Sequence, residues 1–498
     1  MSEHRTVAKN ALVMMMTQGV TWSLALLLVV FLPRALGVEA MGKYHFSSSL
    51  WAMVVIVVSF GMDLLLTKEI ARNPERANEL VVNSIAVRTG LFFVGWALVG
   101  GFLEWFHYPS STRQVVHVMA VSFLLWEMIH PMQAALQGLE RMEYISLSTV
   151  AGKAFNTFVC LALLFWGTNV LMVTAIGIPA AVLTLIIQIR SLGRFAPWKF
   201  RPQLKTMGYL LKAGIPYLLA TAFLVIYMQF DIVILSLLLD DRAVGWYGVA
   251  DQLFGTLLFV PNVMITAVFP VLSRRYAAAP ESSQKVTQRS FDLLTVLSMP
   301  VGLGVLVIAD PLVKILFGPA FGPSGPILAL MGLVLILTSL NVLLGYSLMS
   351  MDRQNEWTFV MAVTTVLTLP LDWILIPWCE QWFSNGGLAG ALSFLITEGG
   401  MLIVGIYLMP RGTLTGRNFW LAIRALLAGL IMVAGTWWLR DYFLAIPILV
   451  GAVIYLVAGR VFQLIQPEDW GLAKSMLQSG MQRFRPQTVV LQEDTHGN

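Results

Sequence analysis

Residues 217–239 read YLLATAFLVIYMQFDIVILSLLL, 23 residues that are apolar apart from small hydroxyl groups, the amide of Gln229 and the carboxylate of Asp231. At about 1.5 Å of rise per residue, such a segment covers the roughly 30 Å of hydrocarbon in a bilayer as a single helix. A barrel strand needs only about ten residues and alternates apolar with polar. The stretch therefore decides the fold class: an all-α, polytopic membrane protein. It also poses a problem, because a carboxylate in hydrocarbon costs about 2.5–3.5 kcal/mol even on the milder insertion scales.

The rest of the chain agrees. Of 498 residues 57% are hydrophobic and 12% charged, with a mean hydropathy of +0.76. Soluble domains run at about 45–50% apolar and about 25% charged. Fourteen apolar runs are long enough to be spans, the first at 11–33 and the last at 443–463. The first run follows Arg5 and Lys9 and is too long for a signal-peptide core, so it reads as a retained helix. Cys160 and Cys379 lie far apart and offer neither a disulfide framework nor a metal motif. The sequence has no phosphate-cradling Gly-rich loop beside a soluble nucleotide domain, so no cofactor and no ATP use are expected.

Orientation follows the positive charge. With a cytoplasmic N-terminus, 23 of the 32 Lys and Arg fall on one side, in stretches such as RSLGRFAPWKFRPQLK (190–205) and SRRYAAAPESSQKVTQR (273–289). Only Arg34, Lys43, Arg113, Arg242, Lys314 and Arg440 fall on the other, and Arg88, Lys153 and Arg424 lie within spans. Both termini are thus expected in the cytoplasm and the chain in the plasma (inner) membrane. The net charge of +5 is a topology signal rather than a nucleic-acid signal. The loops on the less basic side are short, which excludes a membrane enzyme with a sizeable external catalytic domain. Beyond residue 464, PEDWGLAKSMLQSGMQRF reads either as an amphipathic helix on the inner surface or as a solvated cap.

A repeat organises the spans. LGVEAMGKYHFSSSL (36–50) aligns with LDDRAVGWYGVADQL (239–253), matching Ala40, Gly42, Tyr44 and Leu50 to Ala243, Gly245, Tyr247 and Leu253. The same offset sets TKEIAR over PVLSRR. Six helices separate the copies, an even number, so the repeat is parallel, and paired lobes of this kind commonly enclose a central path. The expected units are an N-lobe at 1–206 including the basic linker, a C-lobe at 207–410, two further helices at 411–463 and a tail at 464–498.

RALGVEAMGKY (34–44) resembles the R-x-L-G-x-x-x-x-G-x-Y signature after the first helix of the polysaccharide and O-antigen flippases of the Wzx type. The likeness continues through FGMDLLLTKEIAR, AGIPYLLATAFLVIYMQFDIVIL, VGWYGVADQL and GGLAGALSFLITE. It implies the two-lobed fold of the multidrug, oligosaccharidyl-lipid and polysaccharide exporters. It also implies alternating access and transfer of undecaprenyl-pyrophosphate-linked oligosaccharide to the outer leaflet. A polysaccharide polymerase and glycosyltransferases are the implied partners. Arg34, Gly37, Gly42, Tyr44, Gly245 and Tyr247 are signature positions without an assigned role. Lipid II flippases of the MurJ type carry several arginines in their first two helices, where this chain has only Arg34. Multidrug exporters on the same fold usually have twelve helices.

The intramembrane charges are the candidate site residues. Arg88 and Lys153 lie at matched depth in the N-lobe, about 10–12 Å from the basic side. Together they could receive a pyrophosphate, or they could pair with Glu127 or with backbone carbonyls. Asp231, Asp251 and Asp372 fall in the outer half of the C-lobe, and Glu398 near mid-depth. They could carry a coupling proton or sodium ion, or be buried partners, Asp231 to Tyr227 or Gln229 for example. His117, His130, Asn156, Asn262 and Asn341 read as interhelical contacts. Trp22, Trp51, Trp105, Trp378 and Trp382 read as interfacial anchors. Pro131, Pro179, Pro216, Pro261, Pro300 and Pro370 read as kinks.

Overall fold

The computed structural model describes residues 2–278 and 280–464, and every regular element among them is a helix. The tail beyond residue 464, with its amphipathic reading, lies outside the described residues. Among the described residues thirteen helices are long and apolar enough to cross a membrane. The fourteenth expected span is the shorter apolar helix Ala445–Val461, 17 residues or about 26 Å long.

The first lobe holds α1 (Ser2–Leu36), α2 (Val38–Ser59), α3 (Met62–Arg72), α4 (Ala77–Trp105), α5 (Ser110–Gly138), α6 (Met142–Phe165) and α7 (Val170–Leu192). The second holds α8 (Leu204–Leu238), α9 (Asp241–Leu257), α10 (Phe259–Ala278), α11 (Pro280–Phe317), α12 (Ser324–Ser350), α13 (Gln354–Phe383) and α14 (Gly387–Leu408). Two further helices, α15 (Gly416–Thr436) and α16 (Ala445–Val461), pack on α11 outside the second lobe.

In each lobe the second span is broken. The α2–α3 break falls at Phe60 and Gly61, both in left-handed conformation, and α9 yields to α10 at Leu258. Residues 38–72 nevertheless form one span, built from two helical segments. Pro261 opens α10 just after its break, whereas Pro131, Pro179, Pro216, Pro300 and Pro370 sit inside continuous helices. Polar caps close several ends: Asn169 accepts from the Met172 amide at 3.0 Å, and Thr415 with Asn418 forms a capping box.

The lobes meet along α2 against α8 and α9. At the end opposite the basic linker the seam is close enough that side chains are excluded. A Cβ at Gly42 would overlap the Asp241 carbonyl, and one at Gly245 the Val38 carbonyl. Trp51 belongs to the packed interior, contrary to its reading as an anchor. It is fully buried, stacks on Phe92 at 4.9 Å between ring centroids and donates its indole N–H to the Val116 carbonyl at 2.8 Å.

Candidate functional sites in the two lobes

In the first lobe the break after α2 turns Asp63, in the first turn of α3, toward α4. Arg88 is fully buried and donates to Asp63 at 2.6 Å and to Glu127 of α5 at 3.2 Å. The second Glu127 oxygen lies 3.4 Å from Nδ1 of His130, one turn further along α5. A chain Asp63–Arg88–Glu127–His130 thus crosses the lobe. Arg88 and Lys153 are not two free cations: Arg88 is committed to two carboxylates, and only Lys153 has no acidic partner among the described residues. Glu127 was a foreseeable partner for Arg88. Asp63 was not, because it comes into reach only through the helix break.

Above Lys153 lies a cavity of about 370 Å³ within the lobe, walled by α1, α2, α5, α6 and α7. Tyr44, Ser48, Asn156 and His130 contribute to its lining. No carboxylate is among the lining residues.

The second lobe concentrates acids. Asp231 on α8 is buried and accepts a 2.7 Å hydrogen bond from the hydroxyl of Tyr247 on α9, neither of the partners expected for it. Asp372 on α13 is fully buried against Asp231, with Ser393 of α14 beside it, and no donor reaches either of its oxygens among the described residues. Asp251, one turn beyond Tyr247 on α9, lies close enough to feel the charge of Asp231. Glu398 stands apart, held by Asn341 Nδ2 at 2.6 Å and reached by the Tyr227 hydroxyl at 3.4 Å, which also meets Thr397 at 2.8 Å. Three of the four acids singled out in the sequence are therefore brought together, and Asn341 is the interhelical contact expected of it.

The repeat places these two sites in register. The offset of 203 residues that carries 36–50 onto 239–253 sets Leu28 under Asp231, Tyr44 under Tyr247 and Ser48 under Asp251. All three first-lobe residues line the 370 Å³ cavity. The same helical positions thus enclose a neutral, hydroxyl-bearing pocket in one lobe and a carboxylate cluster in the other. The offset was legible before the structure, and extending it from Leu28 to Ser48 was the signal that would have located the pocket.

The remaining signature residues join the lobes at their non-basic end. Gly37 takes φ 80° in the tight turn between α1 and α2. Arg34 donates to the carbonyls of Ile315 and Leu316, the latter at 2.6 Å, and so caps the C-terminus of α11 in the opposite lobe. Tyr108 and Ser236 hydroxyls meet at 2.7 Å, and Lys43 lies 4.0 Å from Asp241. At the basic end the linker is tied to α4: Asn83 accepts from the Gln203 amide at 2.6 Å, and Thr206 donates to Glu79 at 2.8 Å.

Two lobes of six spans each, related by a parallel repeat, a seam between them and polar sites buried in both define a polytopic membrane protein of the two-lobed exporter fold. The chain belongs to the polysaccharide biosynthesis protein family, which it matches over residues 7–276, more than half its length. The MatE family matches over residues 216–374. A curated relative from Escherichia coli strain K12, named "Putative O-antigen transporter", is 21% identical over 423 residues, covering 81% of this chain and 96% of its own. A "Probable low-salt glycan biosynthesis flippase" from Haloferax volcanii is 26% identical over 172 residues, 34% of this chain and 36% of its own. Among solved structures, "Lipid II flippase MurJ, inward closed conformation" superposes with a TM-score of 0.69 at 12% identity, covering 91% of this chain and 98% of that one, which shows a shared fold.

Proposed function

We propose that this protein flips a glycan carried on a polyprenyl pyrophosphate from the inner to the outer leaflet by alternating access, as a step in surface polysaccharide synthesis. The observation that carries the reading is the division between the lobes: a neutral pocket with an unpaired Lys153 in the first, and a carboxylate cluster in the second. A diphosphate needs a cation, and Lys153 supplies one without breaking an existing ion pair. An undecaprenyl tail needs a long apolar surface. The groove of about 1,230 Å³ between α11, α15 and α16, lined by Pro300, Val307, Met432, Ala452 and Leu456 among others, offers one. Multidrug export of cations is favoured by the second-lobe acids, but the first-lobe cavity offers no counter-charge for a cationic drug.

In this reading the second lobe couples the cycle. Asp231 and Asp372 face each other out of water, and two adjacent carboxylates are tolerated there when one proton or one monovalent cation is shared between them. Exchange of that ion as the lobes rock would tie flipping to a proton or sodium gradient. The signature residues Arg34, Gly42 and Gly245 hold the non-basic end shut. Both termini are cytoplasmic, and cysteine tagging of the 191–206 linker should label from the cytoplasmic side only. The activity is tested by reconstituting the protein in liposomes with an undecaprenyl-pyrophosphate-linked sugar. Protein-dependent movement of the lipid between leaflets is expected; movement at the protein-free rate would end the proposal.

A further inference from the structure

The first-lobe cavity is built from groups that have not been spent on the fold. Ser122 is nine-tenths buried, faces the cavity, and its hydroxyl has no protein partner. Ser48 and Asn156 also line it, and neither side chain makes a hydrogen bond among the described residues. Buried polar groups are ordinarily paired, so free hydroxyls and an amide around one cavity mark a place for an external polar partner. The volume of about 370 Å³ lies at the lower end of the range for small-molecule sites, about 300–1,000 Å³.

The chemistry of the lining selects among ligands. Phe123 and Trp126, one turn apart on α5, put two aromatic rings on the wall. An aromatic face carries negative charge density and attracts the polarised C–H bonds on the flat face of a pyranose. Facing hydroxyl and amide groups can both donate and accept, as sugar hydroxyls require. A cationic ligand would find no carboxylate, since Glu127 is held by Arg88 and His130 and does not line the space. A polyprenyl chain would leave Ser48, Ser122 and Asn156 unpaired. Lys153, Asn156 and Cys160 recur at helical spacing on one face of the continuous helix α6, so Lys153 lies one turn from the lining on the basic side.

We propose that this pocket is a sugar subsite: it takes the pyranose attached directly to the diphosphate of the lipid carrier, with the diphosphate held at Lys153. The order along α6, cation and then neutral pocket, matches the covalent order diphosphate and then sugar. The inference rests on the flippase reading above and adds where in the first lobe the headgroup is read.

The test is binding of defined lipids to the full-length protein in nanodiscs. The probes are undecaprenyl pyrophosphate alone and the same lipid carrying glucose, galactose or N-acetylglucosamine. The parent should bind at least one sugar-bearing lipid about tenfold more tightly than the bare one, the worth of one or two net hydrogen bonds. Asn156→Ala, Ser48→Ala and Trp126→Leu should shrink that difference while leaving affinity for bare undecaprenyl pyrophosphate unchanged, which also shows that the variants are folded. Lys153→Gln should weaken binding of every probe. Equal affinity of the parent for bare and sugar-bearing lipids, or a full sugar preference surviving in all three pocket variants, would overturn the subsite and leave the flippase reading standing. A parent that binds none of the four lipids would remove both.

Discussion

Where α8 carries Asp231, α1 carries Leu28; where α9 carries Asp251, α2 carries Ser48; and Tyr44 and Tyr247 occupy the matching place between them. Tyr247 spends its hydroxyl on Asp231 at 2.7 Å, while Tyr44 lines an open cavity. A parallel repeat gives both lobes the same helix framework. Two changed side chains on adjacent helices, joined by Asp372 on α13, make the second copy an acidic site where the first keeps a cavity without carboxylate. The first lobe has not abolished charge but moved it: Arg88 pairs with Glu127 and Asp63 across α3, α4 and α5, leaving the cavity free of carboxylate. The comparison teaches that buried charge is paired off in one lobe and gathered as unpaired carboxylates in the other, where the proposed coupling would act.

The comparison can be broken most severely at Arg88. If its role is structural, Arg88→Ala strands Glu127 and Asp63, and removing one partner of a buried ion pair costs about 3–5 kcal/mol. A marked fall in folded, membrane-inserted protein and in thermal stability is expected, read by fluorescence-detected size exclusion. Normal folding of Arg88→Ala with loss of lipid binding alone would return Arg88 to the substrate. Next in size is the seam. Gly245→Ala places a methyl group on the Val38 carbonyl, an overpacking of about 1–3 kcal/mol that should hold the non-basic end ajar. Faster labelling of a cysteine introduced at Lys43 would report it, and an unchanged rate would show that the seam does not close that end. The smallest effect is expected at the two tyrosines. Tyr247→Phe removes one hydrogen bond to Asp231, worth about 0.5–1.5 kcal/mol, and should shift the gradient dependence of flipping. Tyr44→Phe should leave that dependence untouched.

Much of this was legible in the sequence, and particular residues show where legibility stopped. Apolar length located the spans, and the spaced Gly and Tyr of 36–50 and 239–253 located the repeat. The α2–α3 break was hidden because apolar sequence continues on both sides of Phe60 and Gly61, and hydropathy does not sense backbone direction. Asp63 consequently looked like an ordinary residue near a helix end, and its bond to Arg88 was invisible. Trp51 looked interfacial from its place along the span, whereas its burial is set by Phe92 and Val116 on neighbouring helices. The pairing of Asp231 with Tyr247 in place of Tyr227 or Gln229 is likewise a property of helix rotation, which depends on packing between helices. Tyr227, one turn away on the same helix, faces Thr397 and Glu398 instead.

The central claim is that the first lobe holds the substrate and the second couples its movement. It is tested most directly by flipping of an undecaprenyl-pyrophosphate-linked sugar in liposomes, with and without an imposed proton or sodium gradient, for parent, Asp231→Asn and Lys153→Gln, normalised to inserted protein. Asn keeps the shape of Asp231 but cannot exchange an ion. Asp231→Asn should therefore insert normally and flip at a rate that no longer responds to the gradient. Lys153→Gln should keep the gradient response while needing several-fold more lipid to reach half its maximal rate. A gradient response that survives in Asp231→Asn, or one that disappears in Lys153→Gln, would contradict the division of labour between the lobes.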